Sequence, residues 1–339
     1  MSADAFTGTM PAWRQDRYGQ ADAVALHDVA VPVPARGQVL LRVRACGLNN
    51  GDTRVMRGEP LLVRLAFGLR RPRQPVRGMD AAATVVAVGR GVAGVVVGDE
   101  VVGELPGGAL ARYALAPADR LVPRPEALDP VRAAALPVAG GTAWQALDKA
   151  GLGAADGRDC PRVLVIGASG GVGTFAVQLA ALRGAEVWAL CGERNRALVE
   201  SLGAVRAFDY RRVQPGGSEL GEGRFDAVLD IAGTAPLRAL RRLVHDGGRV
   251  VLVSGEGGRV LGPIGRLLRA GLMSIGSRRP LVPLAATARP DVLARLVALA
   301  AGGELRPVIA RTSPFEGAGD ALAEVADGHV AGKIVVLAD

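Results

Sequence analysis

Along the first third of the chain, apolar positions come in short runs broken by turn residues: VALHDVAVPVP, VLLRVRACGLN, AAATVVAVG, DEVVGEL and ALARYALAP. Runs of that length, punctuated by Pro-Ala-Arg-Gly at 34–37 and Gly-Arg-Gly at 89–91, predict strands of a mostly antiparallel domain. Over 130–149 the period changes. Ala133, Ala134 and Leu136 lead through a glycine interruption into TAWQALDKA, which predicts helix. From 162 onward RVLVIG, EVWALC, FDAVLDIAG and RVVLVSG are nearly continuous apolar runs, the pattern of strands buried on both faces of a parallel sheet. Helices are predicted between them, to about 183 and over NRALVESLG and PLRALRRLV, so the pattern is βα repetition. Further helices are predicted in ARPDVLARLVALAAGG and EGAGDALAEVADG, and a last strand in KIVVLAD. The division this gives is a β domain over 1–130, a doubly wound α/β domain over 131–285, and a segment 286–339 that completes the second and returns toward the first.

The switch from strand to helix at 163–173, VLVIGASGGVG, carries the most chemistry. Gly167, Gly170 and Gly173 are spaced so that backbone can approach a pyrophosphate at the helix amino end, where unpaired N–H groups and the helix dipole favour anions. Ser169, Gly171 and Val172 fill the same loop and join the candidate cofactor-binding residues. No Lys-Ser or Lys-Thr pair follows, so a nucleoside triphosphatase loop lacks its phosphate-gripping cation. After the second strand, EVWALC, a site selective for NADH would place an acid at the strand end. Here Cys191 and Gly192 stand there, and Arg194 offers a bidentate cation to a 2′-phosphate, with Glu193 as the counter-signal; the expected cofactor is NADPH.

Composition narrows the rest. A chain of 339 residues that is 49% hydrophobic buries a large core and is expected to be an ordered globular protein. MSADAFTG joins no charged region to an apolar run, and no stretch reaches the roughly 18 apolar residues of a membrane span, so the cytoplasm is the expected location and no membrane partner is expected. Cys46, Cys160 and Cys191 form no CxxC pair, which argues against a disulfide framework and a cysteine-rich zinc lobe. The net charge is +8, carried by arginine except at Lys149 and Lys333. Arg64, Arg70, Arg71, Arg73 and Arg77 make a basic cluster without aromatic interleaving or a recognition-helix signature, so no nucleic-acid partner is expected.

CGLNNGDTRVMRGEP at 46–60, RGMDAAATVVAVG at 77–89, AALPVAGGTAWQAL at 134–147, the glycine loop and GHVAGKIVV at 328–336 together resemble the medium-chain dehydrogenase/reductase superfamily, and within it the zinc-independent quinone oxidoreductase branch. The resemblance covers nearly the whole chain. It implies a GroES-like substrate domain, a Rossmann cofactor domain and a homodimer. Zinc-dependent relatives carry a cysteine and a histidine-glutamate pair in segments that here hold Asn49, Met79 and Asp80. An amide and a thioether are poor zinc ligands, and His27, His245 and His329 form no ligand-spaced group, so no metal is expected.

The resemblance and the local sequence together assign candidates residue by residue. Asn49 is the catalytic candidate, positioning nicotinamide or donating to a developing oxyanion, with local turn stabilisation as the competing role. Asp52 competes between proton transfer and capping a helix that begins near Thr53. Thr142 reaches the nicotinamide side or caps its helix, Tyr210 lies near the adenosine phosphate, and Ser254 is a further cofactor contact. Lys333 lies near the pyrophosphate or the reactive end, or is a solvated strand-entry lysine. Some enoyl-reductase relatives have a proton-donating tyrosine after the glycine aligned with Gly58, where this chain has Glu59-Pro60. Tyr113 is either a second approach to the cleft or a packing residue. Arg278 and Arg279 read as an exposed pair or an anion contact, and the apolar side chains of LLVRLAFGLRRP as pocket wall or lobe packing.

Without a Lewis acid, hydride delivery to an electrophilic quinone or enone is favoured over interconversion of a simple alcohol and aldehyde. The expected activity is zinc-independent hydride transfer from NADPH to a quinone or α,β-unsaturated carbonyl. The alternatives are a reductase of a specialised biosynthetic intermediate and a non-catalytic NADPH-binding protein.

Overall fold

Strands β1 (Thr9–Arg14) and β2 (Ala25–Ala30) pair with each other, and β3 (Gln38–Gly47) is the hub of a larger antiparallel arrangement with β4 (Asp80–Val88), β5 (Glu100–Glu104), β6 (Tyr113–Pro117) and β7 (Leu121–Pro123). The computed structural model describes residues 8–153, 160–254, 262 and 264–338. Helices α1 (Asn50–Arg57), α2 (Val63–Phe67), α3 (Pro130–Ala134) and α4 (Pro137–Lys149) lie in the connections. Val39, Leu41 and Val43 of β3 alternate into a core shared with Ala81, Ala83 and Val85 of β4. The backbone of α3 comes so close to β3 that a Cβ on Gly47 would stand 2.1 Å from the Ala134 carbonyl oxygen, which is why that strand ends on glycine.

Six parallel strands follow: β8 (Arg162–Ile166), β9 (Glu186–Cys191), β10 (Ala204–Asp209), β11 (Phe225–Asp230), β12 (Val244–Leu252) and β13 (Leu281–Pro283). Among the described residues they lie in the order β10-β9-β8-β11-β12-β13, reversing direction at β8, as in a doubly wound dinucleotide-binding sheet. They alternate with α5 (Gly171–Leu182), α6 (Arg196–Ser201), α7 (Leu237–Leu243) and α8 (Ile264–Ser274). Trp188 anchors the core of this sheet, edge-on to Phe225 with ring centroids 5.4 Å apart. After α9 (Pro290–Ala301), β14 (Ile309–Ser313) and α10 (Ala318–Asp327), strand β15 (Lys333–Leu337) runs antiparallel to β3, with Val336 opposite Cys46.

The chain divides into two units, Met1–Gly141 with Ala288–Asp339, and Thr142–Thr287. The sequence division at 130/131 and 285/286 differs in two respects. The turns of α3 go with the first unit because α3 packs on β3 and β4, and the segment after 288 adds β14 and β15 to the first unit's sheet instead of completing the second. No helix among the described residues is long and apolar enough to cross a membrane.

Candidate active site

In the second unit the glycine loop joins β8 to α5. Gly167 has φ +86°, a left-handed conformation that suits glycine, and Gly170 is the N-cap of α5. A Cβ on Gly170 would meet only the Gly167 carbonyl oxygen at 3.6 Å, so that face of the loop is open. Gly173 differs. Its Cβ would fall 2.2 Å from the Gly167 carbonyl oxygen, so its bareness lets helix and loop close on each other and does not itself make room for a ligand. Together they leave a backbone cradle at the N-terminus of a 12-residue helix, which fits the pyrophosphate of a dinucleotide.

The turn after β9 closes on this loop. Asn195 Nδ2 donates to Ser169 Oγ at 3.1 Å, and Gly192 faces Tyr210, whose Cε1 would lie 3.8 Å from a Cβ there. Arg194 is exposed on the same turn, while the Glu193 carboxylate takes the Arg196 guanidinium at 3.1 Å. Ser169, Gly192, Arg194 and Tyr210 are thus gathered at the carboxyl ends of β8, β9 and β10. Asn195 and Arg211, whose guanidinium lies 5.2 Å from the Tyr210 ring centroid, belong to the same neighbourhood and were not singled out from sequence, although each directly follows a residue that was. Ser254 lies half-buried beyond β12, its N–H 3.4 Å from the Asp230 carbonyl, and Thr142 is half-buried on α4. Residues 255–261 and 263 of the glycine tract after Ser254, and the segment 154–159, lie outside the described residues.

The first unit holds a buried polar node. Lys333, 3% exposed, donates its ammonium to Asn49 Oδ1 and stands 3.6 Å from Asp80 Oδ2. Asn49 Nδ2 donates to Asp80 Oδ2 at 2.9 Å and to the Gly47 carbonyl at 3.2 Å, and Asp80 Oδ1 accepts the Val138 N–H at 3.1 Å. The solvated role for Lys333 is therefore corrected: it stands at the start of β15, between β14 and β3 in the sheet, and its side chain is buried against Asn49 and Asp80. Both hydrogens of the Asn49 amide are engaged, so donation to an oxyanion would require breaking one of these bonds, and its oxygen keeps only accepting capacity. Burial pushes the Asp80 carboxyl up to about 7 against the pull of Lys333 and Asn49, pushes Lys333 down, and raises the Cys46 thiol. Asp80 was noted in sequence only for its alignment; its role as hub depends on contacts from β15 and α4 that no local pattern announces.

Asp52 is the third residue of a helix starting at Asn50, not Thr53, and reaches back to accept the Asn49 N–H at 2.9 Å. Tyr113 packs against the Met10, Ala12 and Ala111 cluster, and its N–H points to Met10 Sδ at 3.2 Å. Arg279 pairs with Asp246 at 2.8 Å, with Arg278 3.9 Å from the same carboxylate. Beside α1 and α2 the first unit encloses a cavity of about 260 Å³, lined by Val55, Ala66, Phe67, Pro72, Met79 and Pro106 among apolar residues and by Asp52 and Arg77 among charged ones. Ala66, Phe67 and Pro72 come from the LLVRLAFGLRRP stretch, so part of that stretch lines a pocket, while Leu65 and Leu69 are exposed.

Residues 35–126 match the family described as the alcohol dehydrogenase GroES-like domain, and residues 202–336 the family described as zinc-binding dehydrogenase. A chloroplast envelope quinone oxidoreductase homolog of Arabidopsis thaliana is 36% identical over 333 residues, covering 96% of this chain and 98% of that protein. A quinone oxidoreductase of Sus scrofa is 34% identical, covering 97% of this chain and 98% of that protein. The solved quinone oxidoreductase from Coxiella burnetii superposes with a TM-score of 0.84 at 26% identity, covering 97% of this chain and 99% of that one. An antiparallel GroES-like sheet joined to a doubly wound parallel sheet with a glycine-loop cradle defines a pyridine-nucleotide-dependent oxidoreductase. The chain belongs to the medium-chain dehydrogenase/reductase superfamily, in its quinone oxidoreductase branch.

Proposed function

We propose that this protein reduces a quinone or an α,β-unsaturated carbonyl with NADPH and without a catalytic metal. The observation that carries the metal-independent part is the Lys333 ammonium on Asn49 and Asp80. The residues aligned with zinc ligands of relatives are an amide with both hydrogens engaged, a thioether and a carboxylate already facing a buried cation, a donor set unsuited to Zn²⁺. NADPH, when bound, supplies the hydride.

The chain's own residues bind and orient. The N–H groups at the start of α5, with Gly170 open beside them, take the pyrophosphate, and Ser169 is tied by Asn195 to the turn that presents Arg194 to a 2′-phosphate. The pairing of Glu193 with Arg196 supports the preference for NADPH, because it occupies the carboxylate that would oppose the phosphate. Asn49, held in place by Lys333 and Asp80, is the positioning group near the reacting end. The apolar cavity of the first unit holds the ring of the acceptor substrate, and the proton that completes reduction comes from solvent. A homodimer through the second unit is consistent with Leu268, Leu272 and Ile275, which are 66–78% exposed on and just after α8, the helix that packs on edge strand β13.

The test is anaerobic nicotinamide absorbance with chelator-treated protein, NADPH or NADH, and a panel of quinones, enones and simple aldehydes. NADPH consumption with a quinone or enone is expected. Activity confined to aldehydes, or activity that returns only on adding Zn²⁺, would overturn the reading.

A further inference from the structure

The cavity beside α1 and α2 contains a charge that the hydride-transfer reading does not use. Arg77 is 4% exposed and lines it. One guanidinium nitrogen donates to the Gln74 carbonyl, but the buried Nε finds no acceptor among the described residues, and the one favourable charge that reaches the group from the cavity wall, that of Asp52, acts on it without forming an ion pair. Asp52, the acid in the same wall, is turned to backbone: it accepts the N–H groups of Asn49 and Gly78. A guanidinium set among apolar walls with a donor unmade is unfavourable, and an acceptor arriving in the cavity relieves it.

We propose that this cavity takes an apolar ring bearing a carboxylate, with Arg77 binding the carboxylate, so that the preferred substrate is an acid; the proposal rests on the reductase reading for the reaction and on Arg77 for the binding. The volume of about 260 Å³ exceeds the roughly 150 Å³ of an apolar cavity that holds one benzene ring, leaving room for a ring and a small anionic substituent. A planar fork of donors suits a carboxylate better than a single carbonyl oxygen. Arg73 lines the same cavity and is exposed, and Arg70 and Arg71 are exposed nearby in sequence, so the basic cluster gains a role in drawing acids toward the opening.

The experiment compares 4-oxocyclohex-2-ene-1-carboxylate with its methyl ester as substrates, and benzoate with methyl benzoate as non-reducible ligands in calorimetry. The wild type is expected to favour the acid over the ester about tenfold in kcat/KM, mostly through KM, and to bind benzoate about tenfold tighter than the ester. Arg77→Met is expected to bring both ratios to about one, and Arg77→Lys, which keeps charge but loses the fork, to fall between. Thermal melts of each variant establish that it is folded. Equal reduction of acid and ester by the wild type overturns this proposal and leaves the reductase reading standing. Benzoate binding that Arg77→Met abolishes, with neither enone reduced, supports the binding site and counts against the reaction. Absence of benzoate binding, or a preference for acid that survives Arg77→Met in folded protein, overturns it.

Discussion

The first unit builds its polar node from charges taken out of water, whereas the second builds its loop from side chains left off. Asn49, Asp80 and Lys333 are each buried and each satisfied by another, so the node is closed and any deletion strands a partner. The glycine loop is the reverse: Gly170 leaves space, Gly173 permits a contact of backbone on backbone, and helix N–H groups remain for a ligand. The difference is one of where the free energy goes. In the node it is already committed to contacts within the protein, and in the loop it stays in backbone groups left open.

Substitutions separate the two. Lys333→Met leaves the Asp80 carboxylate buried beside no cation, and is expected to lower unfolding free energy in urea by about 3–5 kcal/mol, with Asp80→Asn in the same chain restoring much of it. Gly173→Ala forces the loop away from α5 and is expected to weaken NADPH about thirtyfold by fluorescence titration, or about 2 kcal/mol. Gly170→Ala, with 3.6 Å of clearance, should weaken NADPH without lowering the melting temperature; a fall in stability equal to that of Gly173→Ala would erase the distinction between the two glycines. Arg194→Ala is expected to weaken NADPH about tenfold and leave NADH within about twofold, a loss of roughly 1.4 kcal/mol.

The smallest effect is in pH. Burial raises Asp80 to about 7 from 3.8, so the folded chain keeps a proton there that the unfolded chain has released. That contribution is complete below the unfolded value and is lost as pH rises through about 7. Wild-type stability is therefore expected to fall between about pH 4 and about pH 7 relative to Asp80→Asn, and parallel profiles would remove Asp80 from the account.

The loop was legible in the sequence because its information is local: a buried strand, three glycines and a helix within a dozen positions. EVWALC coincides with β9, and KIVVL with β15, for the same reason. Strand β10 escaped because it is a sheet edge, and Arg206 interrupts the continuous apolar run that marks its neighbours. The node escaped because Asn49 and Lys333 are 284 positions apart and meet only through the pairing of β15 with β3. Arg77 looked like one more surface cation among arginines, and only burial distinguishes it.

The insertion of Thr142–Thr287 between two parts of the first unit also orders events during synthesis. Chains emerge from the ribosome amino end first and domains form as their residues become available. The parallel sheet of the second unit can therefore be complete while the first unit still lacks β14 and β15. Until those strands are made, Asn49 and Asp80 have no ammonium to meet, and the edge of β3 that β15 will cover is open to other strands. The nascent chain thus passes through an interval in which every strand of the second unit has been made and the first unit's sheet still lacks two of its own.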